Sequence, residues 1–507
     1  MAMLVAARAG LPAALRVAAR AVADAGAPGR LDRLDTRLLW RLTRAELAQA
    51  AGQPGRAGRE LAAGMAALHR YRARFGCLDL QTGASAHGRD LARAGLAAAV
   101  AGGSAVAVHR WSERARAQAL RLPQVRPPDD PASASALEEL RQTRQALREA
   151  ELSGRPVAGL RGRAEALQRR IRESAWSVRG DPAGAGAAVP TLAAVRAGLS
   201  GAVLVAYVNA GETLHALVVD DATATLHPLG PMAAAEEAVL RLRADLDTTA
   251  GRAMPARMAT AVAAATRHDA QALQAAALDP LLPRLGDRDL IVVPTGLLMT
   301  APWGMLPACA GRPVTVAPSA TAWLAARSRT GPPAGTTTLL VAGPGIRRGA
   351  EEIRSIAGLS RNPTVLTGAS ATPAATLAAL DGVHLAHLAA HGRHEPENPL
   401  FSALDLAGGP LLGYDLPRLN RPPGVVVLAS CELGLTEVRP GDETFGMASA
   451  LLAAGTATVV ASVGRVADEA ATDAMVRFHR GLAAGSSPAV ALAGVAAGTG
   501  FVCLGAG

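Results

Sequence analysis

Two residues in the second half of the sequence combine the groups that a covalent hydrolase needs. His391 follows the apolar run VHLAHLAA, and Cys431 follows the run VVVLAS forty positions further along. A thiol is only slightly ionised at neutral pH, and a neighbouring imidazole can take its proton or stabilise the thiolate. The thiolate can then attack an acyl carbon while the imidazole protonates the leaving amine. The pair therefore predicts nucleophilic acyl transfer, provided that the fold brings the two side chains together.

The same two segments contain donors that could stabilise the oxyanion of such a reaction. Gly392 follows His391, and because glycine has no side chain, its backbone can approach a substrate closely. We expect the backbone N–H groups of Gly392 and Cys431 to form the oxyanion hole. The alternative for Cys431 is a buried structural cysteine, which is the usual role of a cysteine on a strand.

The histidines around His391 also admit a metal-binding interpretation, because they follow the pattern HxxHxxxHxxH. On a helix, His384, His387 and His391 would lie together as possible zinc ligands, whereas on a strand only His387 and His391 share a face. The segment is short and has no helix cap. We therefore predict no metal site and no cofactor, and we expect His387 to be a packed or hydrogen-bonding strand residue. A zinc-dependent hydrolase remains an alternative.

The segments that must position these residues are short Val- and Leu-rich runs separated by helical stretches. The runs are DLIVVPTG, VTVAPS, TTLLVAGP, PTVLTG, VHLAHLAAHG, VVVLASC and TATVVAS. Runs of this kind are typical of strands that are buried on both faces, and they predict an α/β fold with a mostly parallel sheet flanked by helices. In such sheets the chemistry lies at the carboxyl ends of the strands, which is where His391 and Cys431 fall.

The first part of the chain has a different pattern and predicts an all-α region. Residues 1–122 read as consecutive Ala-rich helices with Gly turns, which indicates degenerate tetratricopeptide-like repeats or unrelated helical packing. Residues 123–179 begin with a Pro-rich break and continue as a helical hairpin. Residues 180–190 form a Gly/Ala/Pro linker, and 191–507 form the α/β domain.

Composition narrows the possible partners and the compartment. All 52 basic residues are arginine and the formal charge is +10, but the arginines are scattered, so we predict no nucleic-acid binding. Arg8, Arg16 and Arg20 interrupt the apolar N-terminus, so we predict no membrane segment. The four cysteines form no CxxC motif and no disulfide framework, which favours a cytoplasmic location.

The region from about residue 200 to 507 resembles the CHAT domain, a bacterial relative of caspases and separases that commonly follows tetratricopeptide repeats. HLAAHG resembles its His-Gly box, and VVLASCELG resembles its Ala-Cys-Glu-Thr-Gly box. The resemblance extends over further segments that occur in the same order along the chain as in the family, namely LIVVPTGLLMTAPWGMLP, VTVAPSATAWL, GDETFGMASALLAAGTATVVASVGRVADEA and FVCLGAG. It implies a caspase-like fold in the C-terminal part of the chain.

The resemblance also implies which residues form the site. His391 and Cys431 take the catalytic positions, Gly392 falls at the oxyanion hole, and Glu432 matches the acidic residue after the cysteine, without an assigned role. The implied activity is a cysteine endopeptidase acting on a protein substrate and regulated through the N-terminal helices. The alternative is a catalytically silent scaffold that binds protein partners.

This chain departs from the family pattern close to the site. Ser430 replaces the usual alanine, Leu433 replaces threonine, and Gly464 stands where the family often has tryptophan. These departures make the substrate preference uncertain. Two acidic residues outside the motif boxes, Asp405 and Asp442, could join Glu432 in lining a substrate pocket.

Overall fold

The structure, a computed structural model, describes most of the chain. The described residues are 12–29, 31–122, 130–181, 188–250, 254–329, 337–346, 348–395, 399–430, 437–439 and 442–507. Cys431 and Glu432 lie outside these ranges, as do most of the expected linker and the start of the expected N-terminal helix. The Pro-rich break at 123–129 also lies outside them.

The described residues before 200 are helical apart from turns and one isolated β-bridge, which confirms the predicted all-α region. The α-helices are α1 (Pro12–Ala25), α2 (Leu34–Ala50), α3 (Pro54–Arg72), α4 (Leu78–Gly83), α5 (Arg89–Ala101), α6 (Ala105–Ala115), α7 (Pro131–Leu152), α8 (Ala158–Ser177) and α9 (Leu192–Leu199). Small residues allow close crossings here: a Cβ added at Gly95 would lie 2.4 Å from the ring of Trp111. The classification of these helices as tetratricopeptide-like stays a prediction.

Helices α7 and α8 form a hairpin whose apolar stripe packs into the core of the following α/β part. Leu137 and Leu140 of α7 and Leu167 and Ile171 of α8 are buried with the sheet residues on one face. Because this hairpin buries its stripe against the sheet, the expected linker at 180–190 separates two regions that share a core. The predicted domain ranges themselves stay a prediction.

The α/β part is built on a mixed sheet of eleven strands among the described residues. Its strands are β1 (Val203–Ala210), β2 (Thr213–Val219), β3 (Ala224–Pro231), β4 (Leu290–Val293), β5 (Val314–Val316), β6 (Thr338–Ala342), β7 (Thr364–Thr367), β8 (Leu385–Ala389), β12 (Val425–Leu428), β15 (Thr458–Ser462) and β16 (Phe501–Gly505). Their order across the sheet is β3-β2-β1-β4-β5-β16-β15-β12-β8-β6-β7. Smaller sheets contain β9 (Gly392–Arg393), β10 (Ala403–Leu406), β11 (Gly409–Leu412), β13 (Glu437–Arg439) and β14 (Glu443–Phe445).

The pairing is mostly parallel, as the sequence predicts. Strands β15, β12, β8, β6 and β7 run parallel to one another, and so do β1, β4, β5 and β16. The two sets meet in the antiparallel pair β15–β16, and the hairpin strands β2 and β3 extend one edge. The fold class predicted for both parts of the chain is therefore confirmed.

Helices cover both faces of the sheet, and its central strands are therefore buried on both sides, whereas the edge strands β3 and β7 are partly exposed. These helices are α10 (Met232–Ala250), α11 (Ala256–Ala277), α12 (Leu282–Leu285), α13 (Ala320–Arg329), α14 (Gly349–Ala357), α15 (Pro373–Leu380), α16 (Met447–Ala454), α17 (Asp468–Ala483) and α18 (Pro488–Ala493). The two faces of β8 belong to different hydrophobic cores. Ala386 and Leu388 lie in the core that contains the α7–α8 hairpin, and Ala389 packs against α14. Within the described residues, no helix has the length and apolar character needed to cross a membrane.

Candidate active site

The two strands expected to carry the reactive pair are direct neighbours. Strand β8 lies between β12 and β6, and Leu388 of β8 is paired in parallel with Leu428 of β12. The contact continues one step further, because the N–H of Ala429 donates to the carbonyl of Leu388 at 3.1 Å. His391 and Cys431 each follow their paired leucine by three positions. The two strands thus have the adjacency that a His–Cys pair requires.

His391 is exposed at the carboxyl end of β8, beside the turn that follows β6. A Cβ built on Gly345 would lie 3.4 Å from the Nε2 atom of His391 and 3.8 Å from the Nη2 atom of Arg148. Gly345 has a φ of +83°, which disfavours any residue with a side chain. Gly343 and Gly345 thus form a strand-to-helix turn that brings backbone close to the imidazole. The ring makes no hydrogen bond with a described residue.

Gly392 is held in a geometry that suits an oxyanion donor. It begins β9 and pairs with Leu404 of β10, while the N–H of Asp405 donates to the carbonyl of His391 at 2.9 Å. In antiparallel strands this register makes Gly392 and Leu404 a non-hydrogen-bonded pair, in which the N–H of each residue points away from the other strand. The Gly392 N–H therefore points away from β10.

The cysteine side of the site is described up to Ser430. Ser430 is buried, and its Oγ has no hydrogen-bond partner among the described residues. The predicted nucleophile Cys431 and its neighbour Glu432 lie outside the described residues, so their assignment stays a prediction. Asp442, on the far side of that segment, has a φ of +48° and is attached to the end of β4. It accepts hydrogen bonds from Thr295 Oγ1 at 2.7 Å and Gly296 N at 3.1 Å.

The two described acidic residues considered for a substrate pocket already have partners. Asp405 is paired with Arg148 at 2.5 Å and lies 3.8 Å from Arg393. Asp442 lies 4.0 Å from the guanidinium of Arg116, in addition to its hydrogen bonds with the β4 turn. Because their charges are compensated within the protein, neither carboxylate offers an unopposed negative charge to a cationic substrate side chain.

His387 is part of a buried polar network, as expected for a hydrogen-bonding strand residue. Its Nε2 lies 2.8 Å from Glu352 Oε1 on α14, and its Nδ1 lies 3.0 Å from His479 Nε2 on α17. Thr472 donates to the second oxygen of Glu352 at 3.2 Å. We assign the Nε2 proton of His387 to the Glu352 contact, which leaves Nδ1 to accept from His479. The network links β8 to the two helices that cover it.

The network has no amphipathic or motif signature in the sequence, because its members are far apart along the chain. Burial, with a smaller contribution from His387, lowers the pKa of His479 well below its ordinary value. A neutral His479 can donate one hydrogen bond to His387 and packs edge-on against it. Among the described residues, no group of three potential ligands could hold a metal ion.

The three described cysteines lie in environments that suppress thiolate formation. Burial raises the pKa of Cys77 to about 11 and the pKa of Cys309 and Cys503 to about 12. At pH 7 a thiol with a pKa of about 11 is ionised in roughly one molecule in ten thousand. These cysteines are therefore poor nucleophiles.

The last turn of α6 and the residue that follows it connect the helical region to β1, to the end of β4 and to α13, which the sequence patterns do not reveal. Arg116 is buried and donates to the carbonyls of Val293, Pro294 and Tyr207 at 3.2, 3.1 and 2.5 Å. Glu113 accepts the N–H groups of Ala320 and Thr321, the first residues of α13, at 3.0 and 2.8 Å. Since Arg116 also approaches Asp442, the helical region reaches the segment that follows Cys431.

Comparison with known proteins confirms the family resemblance. Residues 267–497, a little under half of the chain, match the model of the CHAT domain family. The comparison with curated proteins returns no match. Two crystal structures of the Saccharomyces cerevisiae separase–securin complex are similar at 8% and 7% sequence identity. Each has a TM-score of 0.48 and covers 97% of this chain.

The chain spans less than half of the separase-complex chains, since the alignment covers 45% of each. The family match, by contrast, includes β4 to β15 and both predicted catalytic positions, His391 and Cys431. It begins inside α11 and so lies within the range 191–507 expected for the domain. The protein therefore carries a CHAT domain over residues 267–497.

Proposed function

We propose that this protein is a cysteine endopeptidase of the caspase and separase type, with Cys431 as nucleophile and His391 as the acid–base partner. The observation that carries the proposal is the register of β8 and β12. Both residues leave adjacent parallel strands at equivalent positions, three residues beyond the Leu388–Leu428 pair. Neighbouring strands lie about 4.8 Å apart, so this register favours contact between their side chains.

The chemistry follows from the residues assigned to the site. His391 takes the proton of Cys431, the thiolate attacks the peptide carbonyl, and the imidazole returns the proton to the leaving amine. The N–H groups of Gly392 and Cys431 stabilise the oxyanion of the tetrahedral intermediate. Water then hydrolyses the acyl-enzyme with the same histidine acting as general base. The orientation of the Gly392 N–H, away from β10, supports its role.

The substrate class in this proposal is a protein, and the described acidic residues argue against one form of selectivity. Asp405 and Asp442 are compensated by Arg148 and by Arg116 with the β4 turn, respectively. Glu432 is the remaining member of the three acidic residues considered for a substrate pocket. In this proposal, a preference for a basic residue before the scissile bond would therefore depend on the negative charge of Glu432.

We also propose that the N-terminal helices regulate the site. Arg116 connects the exit of α6 to the end of β4 and approaches Asp442, which follows the segment that contains Cys431. A partner that moves α6 could thus alter the position of that segment. In this proposal, the contacts of Arg116 with the end of β4 and with Asp442 are the route by which the α-helical region would regulate the site.

The proposal is tested by thiol labelling with iodoacetamide, read at each cysteine by mass spectrometry. We expect Cys431 to react at least about tenfold faster than the thiols of Cys77, Cys309 and Cys503, because burial raises the pKa of each of those three. In His391→Ala the rate at Cys431 should fall towards that of an unassisted thiol. An unchanged rate would exclude the dyad.

Activity is tested by incubating the full chain with a proteome-derived peptide library and sequencing the new termini. Cleavage should disappear in Cys431→Ala and in His391→Ala, and it should persist in Cys77→Ala, the matched control. Cleavage that survives either site variant would refute the assignment. Fast labelling of Cys431 without turnover would favour the alternative, a silent scaffold that binds protein partners.

A further inference from the structure

A cavity of about 430 Å³ lies where the helical region meets the start of the α/β part. Its volume is within the range of small-molecule sites. One wall comes from α3 and α6, and a second wall comes from residues 188–192, which lead into α9 and include its first residue. The two walls are joined by a hydrogen bond of 2.8 Å between His109 Nε2 and the carbonyl of Pro190. The cavity is thus built by segments that are distant from one another in the chain.

The charged lining of this cavity is entirely basic. Arg110, Arg114 and Arg121 line it together with His69 and His109, and no Asp or Glu stands among the described residues of the lining. Arg110 and Arg114 are four positions apart on α6 and so share one face of the helix. Like charges at this spacing repel each other, so the protein alone leaves this arrangement unfavourable.

The carboxylate closest to these arginines in sequence is used elsewhere. Glu113 sits between the two arginines in sequence, but its oxygens accept Ala320 N, Thr321 N and, at 2.6 Å, Thr321 Oγ1. Neither Arg110 nor Arg114 forms an ion pair with a described residue. Arg114 instead packs its guanidinium against the Trp111 ring, 5.6 Å from the ring centroid. Arg110 and Arg114 therefore line the cavity without a carboxylate partner among the described residues.

The electrostatics of the lining agree with the geometry. Burial lowers the pKa of Arg114, and the charge of Arg110 lowers it further. Burial also lowers the pKa of Arg121, an effect that Glu113 opposes and Arg114 reinforces. A bound anion would reverse the unfavourable part of these interactions.

The remaining lining is mostly apolar, with Met65, Val106 and Leu192 among its residues, and includes the polar residues Gln118 and Thr191. We propose that this cavity binds a small organic phosphate, with its phosphate groups on Arg110 and Arg114 and its organic part against the apolar wall. Arginine suits this ligand because its fork of N–H donors matches phosphate oxygens. The proposal does not depend on the peptidase assignment, since none of these residues belongs to that site.

The test is calorimetric titration of the full chain at about 50 mM salt with ATP, pyrophosphate and adenosine, where ionic contacts are weakly screened. We expect ATP to bind more tightly than pyrophosphate, and adenosine to bind more weakly than either. Affinity for ATP and pyrophosphate should fall as salt is raised. Binding of adenosine as tight as that of ATP would overturn the proposal, and so would the absence of phosphate binding at low salt.

Substitution then locates the ligand. Arg110→Ala and Arg114→Ala should each weaken ATP binding by about 10-fold or more, the effect of losing one charged hydrogen-bonding group. Arg169→Ala, an exposed residue of α8 outside the lining, removes the same charge and should leave binding unchanged. Equal losses in all three variants would show a general charge effect and refute the site. Tighter binding of an acidic peptide than of pyrophosphate would also refute it. Thermal melts of each variant confirm that it is folded.

Discussion

Arg141 provides a quantitative test of how the helical hairpin is attached to the α/β part. On α7, its guanidinium pairs with Asp415, which follows β11, at 2.5 Å. Side-chain exposure is 14% for Arg141 and 0% for Asp415. A second ion pair of nearly the same length, Arg163–Glu139 at 2.6 Å, joins α8 to α7 but is exposed by 64% and 36%. The two pairs thus differ mainly in burial.

This difference in burial sets the expected magnitudes. In Arg141→Ala the buried Asp415 loses its cation, and removing one partner of a buried pair costs roughly 3–5 kcal/mol. We expect about 3 kcal/mol, the lower end, because Asp415 keeps a hydrogen bond of 2.9 Å from the N–H of Leu412. Arg163→Ala should cost less than about 1 kcal/mol, since water screens the exposed pair.

The assay is urea unfolding of both variants and the unmodified chain, followed by circular dichroism, with slopes compared to check that the same surface unfolds. The double variant Arg141→Ala with Asp415→Asn should recover part of the loss, because it removes the uncompensated charge and keeps an acceptor for Leu412. If Arg141→Ala costs no more than Arg163→Ala, burial does not decide the strength of these pairs, and the argument for the attachment of α7 fails.

Two further predictions concern the strand that carries the site. His479 has a lowered pKa in the folded state and an ordinary pKa near 6.5 when unfolded, so stability should fall by up to about 1.4 kcal/mol per pH unit below pH 6.5. His479→Gln keeps a hydrogen-bond donor but cannot be protonated, so it should reduce the fall in the free energy of unfolding below pH 6.5. If the fall is the same in this variant, the loss of stability in acid comes from other groups. Gly343→Ala would place a Cβ 2.5 Å from the carbonyl of Asp405 and 2.8 Å from the Cβ of Ala390, and should cost about 1–3 kcal/mol by overpacking. Gly58→Ala, in open space on helix α3, should instead stabilise the protein by up to about 1 kcal/mol, and a loss of stability in both variants would contradict the steric reasoning.

Much of the α/β architecture follows from local pattern. Strands such as β6, β8 and β12 are short runs of mostly apolar residues, and both faces of each run are buried because helices cover both. This pattern lies in consecutive residues, so the positions of these strands could be predicted from the sequence. The helices between the strands could be predicted for the same reason, since their caps and periodicity are also local.

The surroundings of His391 could not be predicted in the same way. Gly345, Arg148 and Asp405 come from three different elements and meet at the histidine only after the sheet and hairpin have packed. The pairing of Asp405 with Arg148 removed one candidate for substrate recognition. No property of the DLAGG segment indicates that an arginine from α7 would reach it.

The sequence by itself determined the α/β class and the helical first part, because each depends on residue types at short spacing, and it supplied the prediction of His391 and Cys431 as the reactive pair. Tertiary structure decided the strand order, which makes β8 and β12 neighbours, and the partners of the buried charges. It also decided which arginines of a scattered set come together in one cavity. Those outcomes depend on contacts between residues far apart in the chain, and their energies arise only when packing excludes water from the groups involved.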